Sequence, residues 1–470
     1  MTFWLAKPGR SNLRLLASTI LTVLASVTGC YAENLLSEPG FESNVLGQKI
    51  LGWNSYGSNT YVTANPAPVH GGTNSLKVYQ AFTGAVNYNG IYQDYISGPG
   101  AVYSADGWAY NAAAAALAGQ NSAWIEVSFR DANAKILTLY RSALINTQAI
   151  ADGTFSANTW VNLSVTNQYD PNSYQIINRT SRLVAPPGTY FVRYQIMFQG
   201  DAQNSRGSVY FDDLNLSRTD GAAYGNWSLA WSDEFNGTAI DKNTWTYDLG
   251  ASGWGNNELE DYTSNAANAY VTGGCLHIAV LKPSAENRHY TSARLKSQGL
   301  FSFQYGRLEW RAQLPHGKGF WPALWLLGTN ISTVGWPGCG EIDVVENKGS
   351  DLQMDQGSLH SGSDETVIYR FLNGDSVTNF HTYTLDWTPT AILFYVDGHL
   401  YESQTRWTSS QGAYPAPFNQ PFFLLMNIAV GGNYLDNPTP AAINAQSSFP
   451  GEMLVDYVRL YNLTGNKNEN

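Results

Sequence analysis

The chain has 470 residues and a net charge of −11, with 13% charged and 13% aromatic residues that include 15 Trp and 29 Tyr. That length admits two or three domains, each with a core of its own. The acidic balance argues against a nucleic-acid partner, whose phosphates demand a basic footprint, and disfavours a strongly anionic polysaccharide. Low charge with many aromatic rings suits an all-β protein that handles neutral, ring-shaped ligands such as sugars.

Residues 1–32 read as an export signal: Lys7, Arg10 and Arg14 precede an apolar run over 15–27 and a small-residue end. The run is too short for a stable membrane span. Val27-Thr-Gly-Cys30 resembles a bacterial lipobox, which would leave a lipid on Cys30 as the chain's membrane tie, whereas Cys30-Tyr-Ala32 resembles an ordinary signal-peptide site. Both readings stay open, and both place the protein outside a bacterial cell or on its surface. Beyond the leader only Cys275 and Cys339 remain, so the mature body holds at most one disulfide.

Residues 33–218 form a first unit of short alternating runs divided by Gly, Pro and Asn turns, the pattern of a β-sandwich. Asn34-Leu-Leu-Ser-Glu-Pro-Gly-Phe-Glu42 opens it and Val209-Tyr-Phe-Asp-Asp-Leu-Asn-Leu216 closes it. This order of motifs resembles carbohydrate-binding modules of the family 4 and 9 type, which implies a jelly-roll with sugar-stacking aromatics; Trp53, Tyr56, Tyr88, Tyr92 and Trp124 are the candidates, each of which also reads as a core or rim residue. Asp212, Asp213 and Glu42 fit either a structural calcium or an ordinary turn cap. Residues 219–224 are a short polar link that keeps the two units close.

Residues 225–463, followed by a polar tail over 464–470, are again strand-rich. Runs at 307–314, 323–327, 342–346, 383–387, 392–396, 422–428 and 454–461 read as strands, with turns at Asp397-Gly398 and Gly431-Gly432. Several runs are apolar on both faces, as central strands of two stacked sheets are.

Within them lies Glu341-Ile-Asp-Val-Val-Glu346, three carboxylates in six residues of an apolar run. Alternation points Glu341 and Asp343 the same way, and a one-residue bulge between 343 and 346 returns Glu346 to that face. Three like charges this close cannot all ionise cheaply, so Glu346 is expected to keep a proton while Asp343 hydrogen-bonds Glu341. The flanking Trp321, Trp325 and Trp336 argue against a solvated surface strand.

The acid motif, preceded by Trp321-Pro-Ala-Leu-Trp-Leu-Leu-Gly328 and Gly335-Trp-Pro-Gly-Cys-Gly340, resembles the active-site strand of glycoside hydrolase family 16, laminarinase type. The likeness runs from Trp231-Ser-Asp-Glu-Phe235 to Val455-Asp-Tyr-Val-Arg-Leu-Tyr461. It implies a concanavalin-like jelly-roll with a cleft on its concave sheet and retaining cleavage of β-1,3-glucan by a monomer without a catalytic cofactor. By the same resemblance Glu341 is the nucleophile, Asp343 its assistant and Glu346 the acid/base. Trp325, Trp336, Trp321, Glu309, Asn257, Arg294, His360 and Asn427 contact sugar, and Asp456 with Glu234 holds a structural calcium. Mixed-linkage β-1,3-1,4-glucan is the nearest rival substrate, with agarose and carrageenan further off. A non-catalytic glucan-binding protein is the rival of another class; such relatives lose the acids that this chain keeps.

Overall fold

A computed structural model of the protein describes residues 34–79, 84–202, 206–219, 227–283 and 289–463. The leader over 1–32, the link beyond Thr219 and the tail over 464–470 lie outside the described residues. The fold is all-β and built from two sandwiches. One apolar cluster gathers side chains from Leu36 to Leu216, and a second gathers side chains from Phe235 to Leu460. Among the described residues no helix is long and apolar enough to cross a membrane.

The strands that carry the N-terminal sheet of interest are β1 (Asn87–Ile96), β2 (Ser122–Arg130), β3 (Ile136–Arg141) and β4 (Phe191–Gly200), paired in the order β3-β2-β4-β1. On β2 the residues Ala123, Ile125, Val127 and Phe129 enter the core. Trp124, Glu126 and Ser128 therefore stand on the outer face, because strand side chains alternate. Tyr88 and Tyr92 of β1 share that face by register with β4. Tyr92 stacks on Tyr56 at 5.8 Å and carries the Arg193 guanidinium at 3.7 Å. The Arg141 guanidinium lies 4.7 Å over Trp124 while its Nε donates to Glu126 at 2.7 Å. Of the aromatic candidates Trp53 takes the core reading, 3% exposed and packed with Phe41 and Tyr194, and Trp124 is buried too, at 2% exposed, so neither is open to a sugar. Glu42 and Asp212 cap a turn, accepting from the backbone N–H groups of Thr73 and Asn74 and of His70 and Gly71 respectively.

In chain order the C-terminal strands are β5 (Thr246–Asp248), β6 (Arg294–Lys296), β7 (Gly306–Gln313), β8 (Phe320–Gly328), β9 (Glu341–Glu346) and β10 (Met354–His360). They continue with β11 (Asp364–Arg370), β12 (His381–Trp387), β13 (Ile392–Val396), β14 (His399–Gln404), β15 (Phe422–Val430) and β16 (Gly451–Leu463). One sheet runs β5-β6-β15-β8-β9-β10-β11 and bears the cleft. The other runs β14-β13-β12-β7-β16 and covers its back. Strand β15 is buried along its whole length, as a run apolar but for Asn427 requires of a central strand. Asp397 and Gly398 both have positive φ, 49° and 79°, which makes the β13–β14 turn the mirror-image type that suits the twist of a hairpin.

The two units share a sheet. Tyr95 and Asp94 of β1 pair with His399 and Leu400 of β14, so the N-terminal sheet continues edge to edge into the outer C-terminal sheet. Ala132 and Phe191 from one unit pack with Ala391, Leu393, Tyr395 and Leu400 from the other. Nearby, Arg307 and Asp386 form a bidentate ion pair at 2.7 and 2.8 Å, and both are fully buried. Trp227 stacks over the Arg307 guanidinium at 4.5 Å, and Tyr395 donates to Asp386 at 3.1 Å. Removing one partner strands the other charge without water. Asp386→Ala is expected to cost about 3–5 kcal/mol of unfolding free energy, read as a lower denaturant midpoint.

Candidate active site

The acid strand β9 carries the bulge that its sequence demands. Asp343 pairs with Ser358 and Glu346 with Gln356, so three steps along β9 match two along β10. On the other side Trp325 faces Asp343 and Leu324 faces Val345, again with a shift. Ile342, Val344 and Val345 go into the core. Glu341, Asp343 and Glu346 all face the cleft, whose main cavity has a volume of about 530 Å³.

Each carboxyl is gripped differently. Glu341 Oε2 accepts from the Trp336 indole N–H at 2.8 Å. Asp343 lies 3.2 Å from His360 Nε2, and His360 Nδ1 lies 2.8 Å from Asp364. The reactive atoms of Glu341, Asp343 and His360 are all within 4.8 Å of one another. Glu346 Oε1 accepts from Trp321 Nε1 at 3.1 Å, and its Oε2 accepts from Gln356 Nε2 at 3.1 Å and Ser358 Oγ at 3.3 Å.

Protonation follows from this crowding. Burial, then the charge of Asp343, pushes Glu346 up to about 8, against the pull of His360 and the donors on its oxygens. Burial and Asp343 likewise raise Glu341, while burial raises Asp343 against the His360 hydrogen bond. Burial opposes a charge on His360, but Asp343, Glu341 and Asp364 outweigh it and lift the imidazole to about 10. At neutral pH His360 is therefore an imidazolium and Glu346 holds a proton. Glu341 and Asp343 stand side by side opposite the His360 imidazolium, both raised, an arrangement that suits two carboxyls sharing one proton.

The remaining predicted contacts divide. Trp321, Trp325, Trp336, Arg294 and His360 line the cleft, and Asn427 sits in its floor. Trp336 is 58% exposed, an open platform beside Glu341. The Arg294 guanidinium is sandwiched between Trp254 at 5.0 Å and Trp325 at 4.6 Å and pairs with Asp248 at 3.0 Å. Asn427 accepts from Trp325 Nε1 at 2.7 Å and donates to the Tyr262 hydroxyl at 3.0 Å, so it orients the tryptophan. Asn257 takes a positive φ of 58° and donates to Asn433 at 2.8 Å; its neighbours Trp254 and Asn256 line the cleft instead.

Glu309 is a correction. It lies on β7, in the sheet behind the cleft, and is 1% exposed. A sugar cannot reach it. The two calcium candidates are engaged by arginines. Both oxygens of Glu234 are taken by Arg459 at 2.8 and 2.9 Å, and Asp456 gives an oxygen to Arg311 at 2.6 Å. One oxygen left on Asp456 does not make a side-chain cage for calcium, which takes six to eight oxygen ligands. Cys275 and Cys339 are free thiols.

Gln356, Tyr434, Trp254, Asn256 and Glu258 belong to the cleft and were not anticipated. Gln356 had a signal: in Gln356-Gly-Ser-Leu-His360, alternation places positions 356, 358 and 360 on one face. Tyr434 sits in a single 3₁₀ turn after Gly431-Gly432, which no periodicity announces.

A bulged strand that holds a carboxylate cluster and a protonated glutamate in an aromatic cleft defines a glycoside hydrolase. The family model for glycosyl hydrolases family 16 matches residues 256–458. The beta-glucanase of Rhodothermus marinus is 41% identical over 268 residues, 53% of this chain and 89% of that one. The glucan endo-1,3-beta-glucosidase A1 of Niallia circulans is 36% identical over 301 residues, 58% of this chain but only 43% of that relative's length. The solved laminarinase structure from Rhodothermus marinus is 40% identical and aligns with 51% of this chain and 98% of its own, at a TM-score of 0.46. The chain belongs to glycoside hydrolase family 16.

Stability should carry the imprint of the cluster. A folded-state pKa above the unfolded value means that the folded protein binds more protons in between, so stability falls as pH rises through that window. For Glu346 the window runs from its ordinary value of 4.5 to about 8. The Tm is expected to fall between pH 5 and pH 8, and Glu346→Gln to flatten that decline in scanning calorimetry.

Proposed function

We propose that the protein is a retaining endo-β-1,3-glucanase that cleaves laminarin-type glucan. One observation carries the reading: two glutamates on one bulged strand face one cleft, each held by an indole N–H from the cleft wall. The substrate class comes from the relatives, which are a beta-glucanase and a glucan endo-1,3-beta-glucosidase.

Glu346 gives its proton to the glycosidic oxygen while Glu341 attacks the anomeric carbon, forming a glycosyl-enzyme. Asp343 keeps the shared proton, so the negative charge is available on Glu341, and His360 balances that charge from behind. Glu346, now ionised, takes a proton from water, which attacks the same carbon and restores the original configuration. Trp336, Trp325 and Trp321 hold successive sugar rings, and Arg294 supplies donors to their hydroxyls. These steps need no cofactor. Action on an external polysaccharide agrees with the export leader read over residues 1–32.

The N-terminal sandwich is proposed to bind the same glucan on the outer face of β1–β4. The exposed ring of Tyr88 and the half-buried ring of Tyr92 offer stacking surfaces, and the arginines and amides between them offer hydrogen bonds.

Product analysis by mass spectrometry after incubation with laminarin, lichenan, agarose and carrageenan tests the first reading. An oligosaccharide ladder from laminarin is expected, abolished in Glu341→Gln and slowed about 10²- to 10⁴-fold in Glu346→Gln. Cleavage of agarose or carrageenan alone would discard the substrate and keep the mechanism. In affinity electrophoresis on laminarin, Tyr92→Ala in the Glu341→Gln background should migrate with less retardation than its parent. Equal retardation would remove the glycan role from this face.

A further inference from the structure

Glu346 must serve twice, first as an acid and then as a base, yet its surroundings favour the first duty far more than the second. Burial and the neighbouring carboxyls keep a proton on it. Three donors oppose them, and they are not equivalent. The Trp321 indole also faces the sugar and stacks on Tyr434 at 4.7 Å. The Ser358 hydroxyl takes bonds from Gln356 at 3.2 Å and Thr366 at 3.3 Å and can rotate to accept rather than donate. The Gln356 amide is different. Its Oε1 accepts from the Tyr434 hydroxyl at 3.3 Å, which turns its N–H group toward Glu346 Oε2 at 3.1 Å.

We propose that Gln356, oriented by Tyr434, is a positioning residue for Glu346 that keeps the ionised carboxylate within reach for the second, water-attacking step. The inference rests on the assignment of Glu346 as acid/base. A donor fixed in one direction bonds a carboxylate more strongly than a neutral carboxyl, so its effect on the proton has one sign. The device depends on register. The bulge in β9 sets Glu346 opposite Gln356 rather than opposite Asp355, and the cross-strand pair brings the amide to the carboxyl. Tyr434 is fixed in turn by the Trp321 ring on one side and by Lys348, whose ammonium lies 4.8 Å from the Tyr434 ring.

Other charged and titratable groups face the same carboxyl and bound what Gln356 alone can do. Glu341 and Asp343 come from its own strand, and His360 and the fully buried Asp355 come from β10. Tyr434 senses Asp351 and Glu346, Lys348 stands behind Tyr434, and Glu258 and Arg294 line the opposite wall. Among the described residues none of these donates to Glu346, so the loss of Gln356 leaves its Oε2 with the rotatable Ser358 hydroxyl alone.

The test is the pH profile of kcat/KM and kcat on laminarin for the full chain and for Gln356→Met, Gln356→His and Tyr434→Phe. The alkaline limb of kcat/KM reports the loss of the proton from Glu346. Gln356→Met should move that limb upward by about one pH unit, the scale of a lost hydrogen bond to a charged group, and should lower kcat near neutrality several-fold. Gln356→His, which restores a donor, should return the limb most of the way. Tyr434→Phe should shift it in the same direction by less, and this variant keeps the test decisive if Gln356→Met does not fold. Unmoved limbs in folded Gln356→Met and Tyr434→Phe, with only a lower Tm, would overturn the proposal. If the wild-type limb itself survives Glu346→Gln, it is the acid/base assignment that fails, and the two failures are told apart.

Discussion

The structure turns on one extra residue. Without the bulge at Val344, strand β9 would send Glu346 into the sandwich core and bring Val345 to the cleft. With it, a strand of alternating acids and β-branched residues buries Ile342, Val344 and Val345 and still presents three carboxyls on one side. The energetic tension is evident. The same face that is desolvated enough to keep a proton on Glu346 must hold a charge on the Glu341–Asp343 pair, and the protein reconciles the two demands with an imidazolium placed against Asp343.

Around that strand the tryptophans have double duty. Trp321 and Trp336 each spend an indole N–H on a glutamate and leave the ring to line the cleft, while Trp325 is pinned by Asn427 and backed by Arg294. A ring held by its polar end loses little rotamer freedom when a sugar docks, which favours rigid stacking. The hydrogen bonds that tune the acids therefore also fix the ligand platform, and a change in one wall residue touches both.

Much of this was legible in the sequence, and the reason is periodicity. Alternation within Glu341-Ile-Asp-Val-Val-Glu346 gave the shared face and its failure gave the bulge; the Asp397-Gly398 turn and β15, apolar but for Asn427, are equally local signals. What escaped depends on which sheet a strand joins. Glu309 lies in a run that looks like any other amphipathic strand, yet β7 pairs with β12 and β16 behind the cleft, a fact of topology rather than of local pattern. The ion pairs at the two calcium candidates were hidden as well: nothing near Asp456 and Glu234 in sequence says that Arg311 and Arg459 close on them. Gln356 and Tyr434 meet across 78 residues, beyond any local reading.

The shared sheet has a consequence for how the two units can be separated. Strand β14 is an edge strand of its own sandwich, and β1 meets it through Tyr95 and Asp94 while Ala132 and Phe191 cover Leu393, Tyr395 and Leu400. An excised C-terminal unit would present open backbone donors and acceptors beside a bared apolar strip, the combination that recruits foreign strands and seeds aggregation. The N-terminal sandwich thus acts as a chaperoning cap for its neighbour's edge, and shuffling it for an unrelated module would need a replacement strand as well as a replacement ligand site.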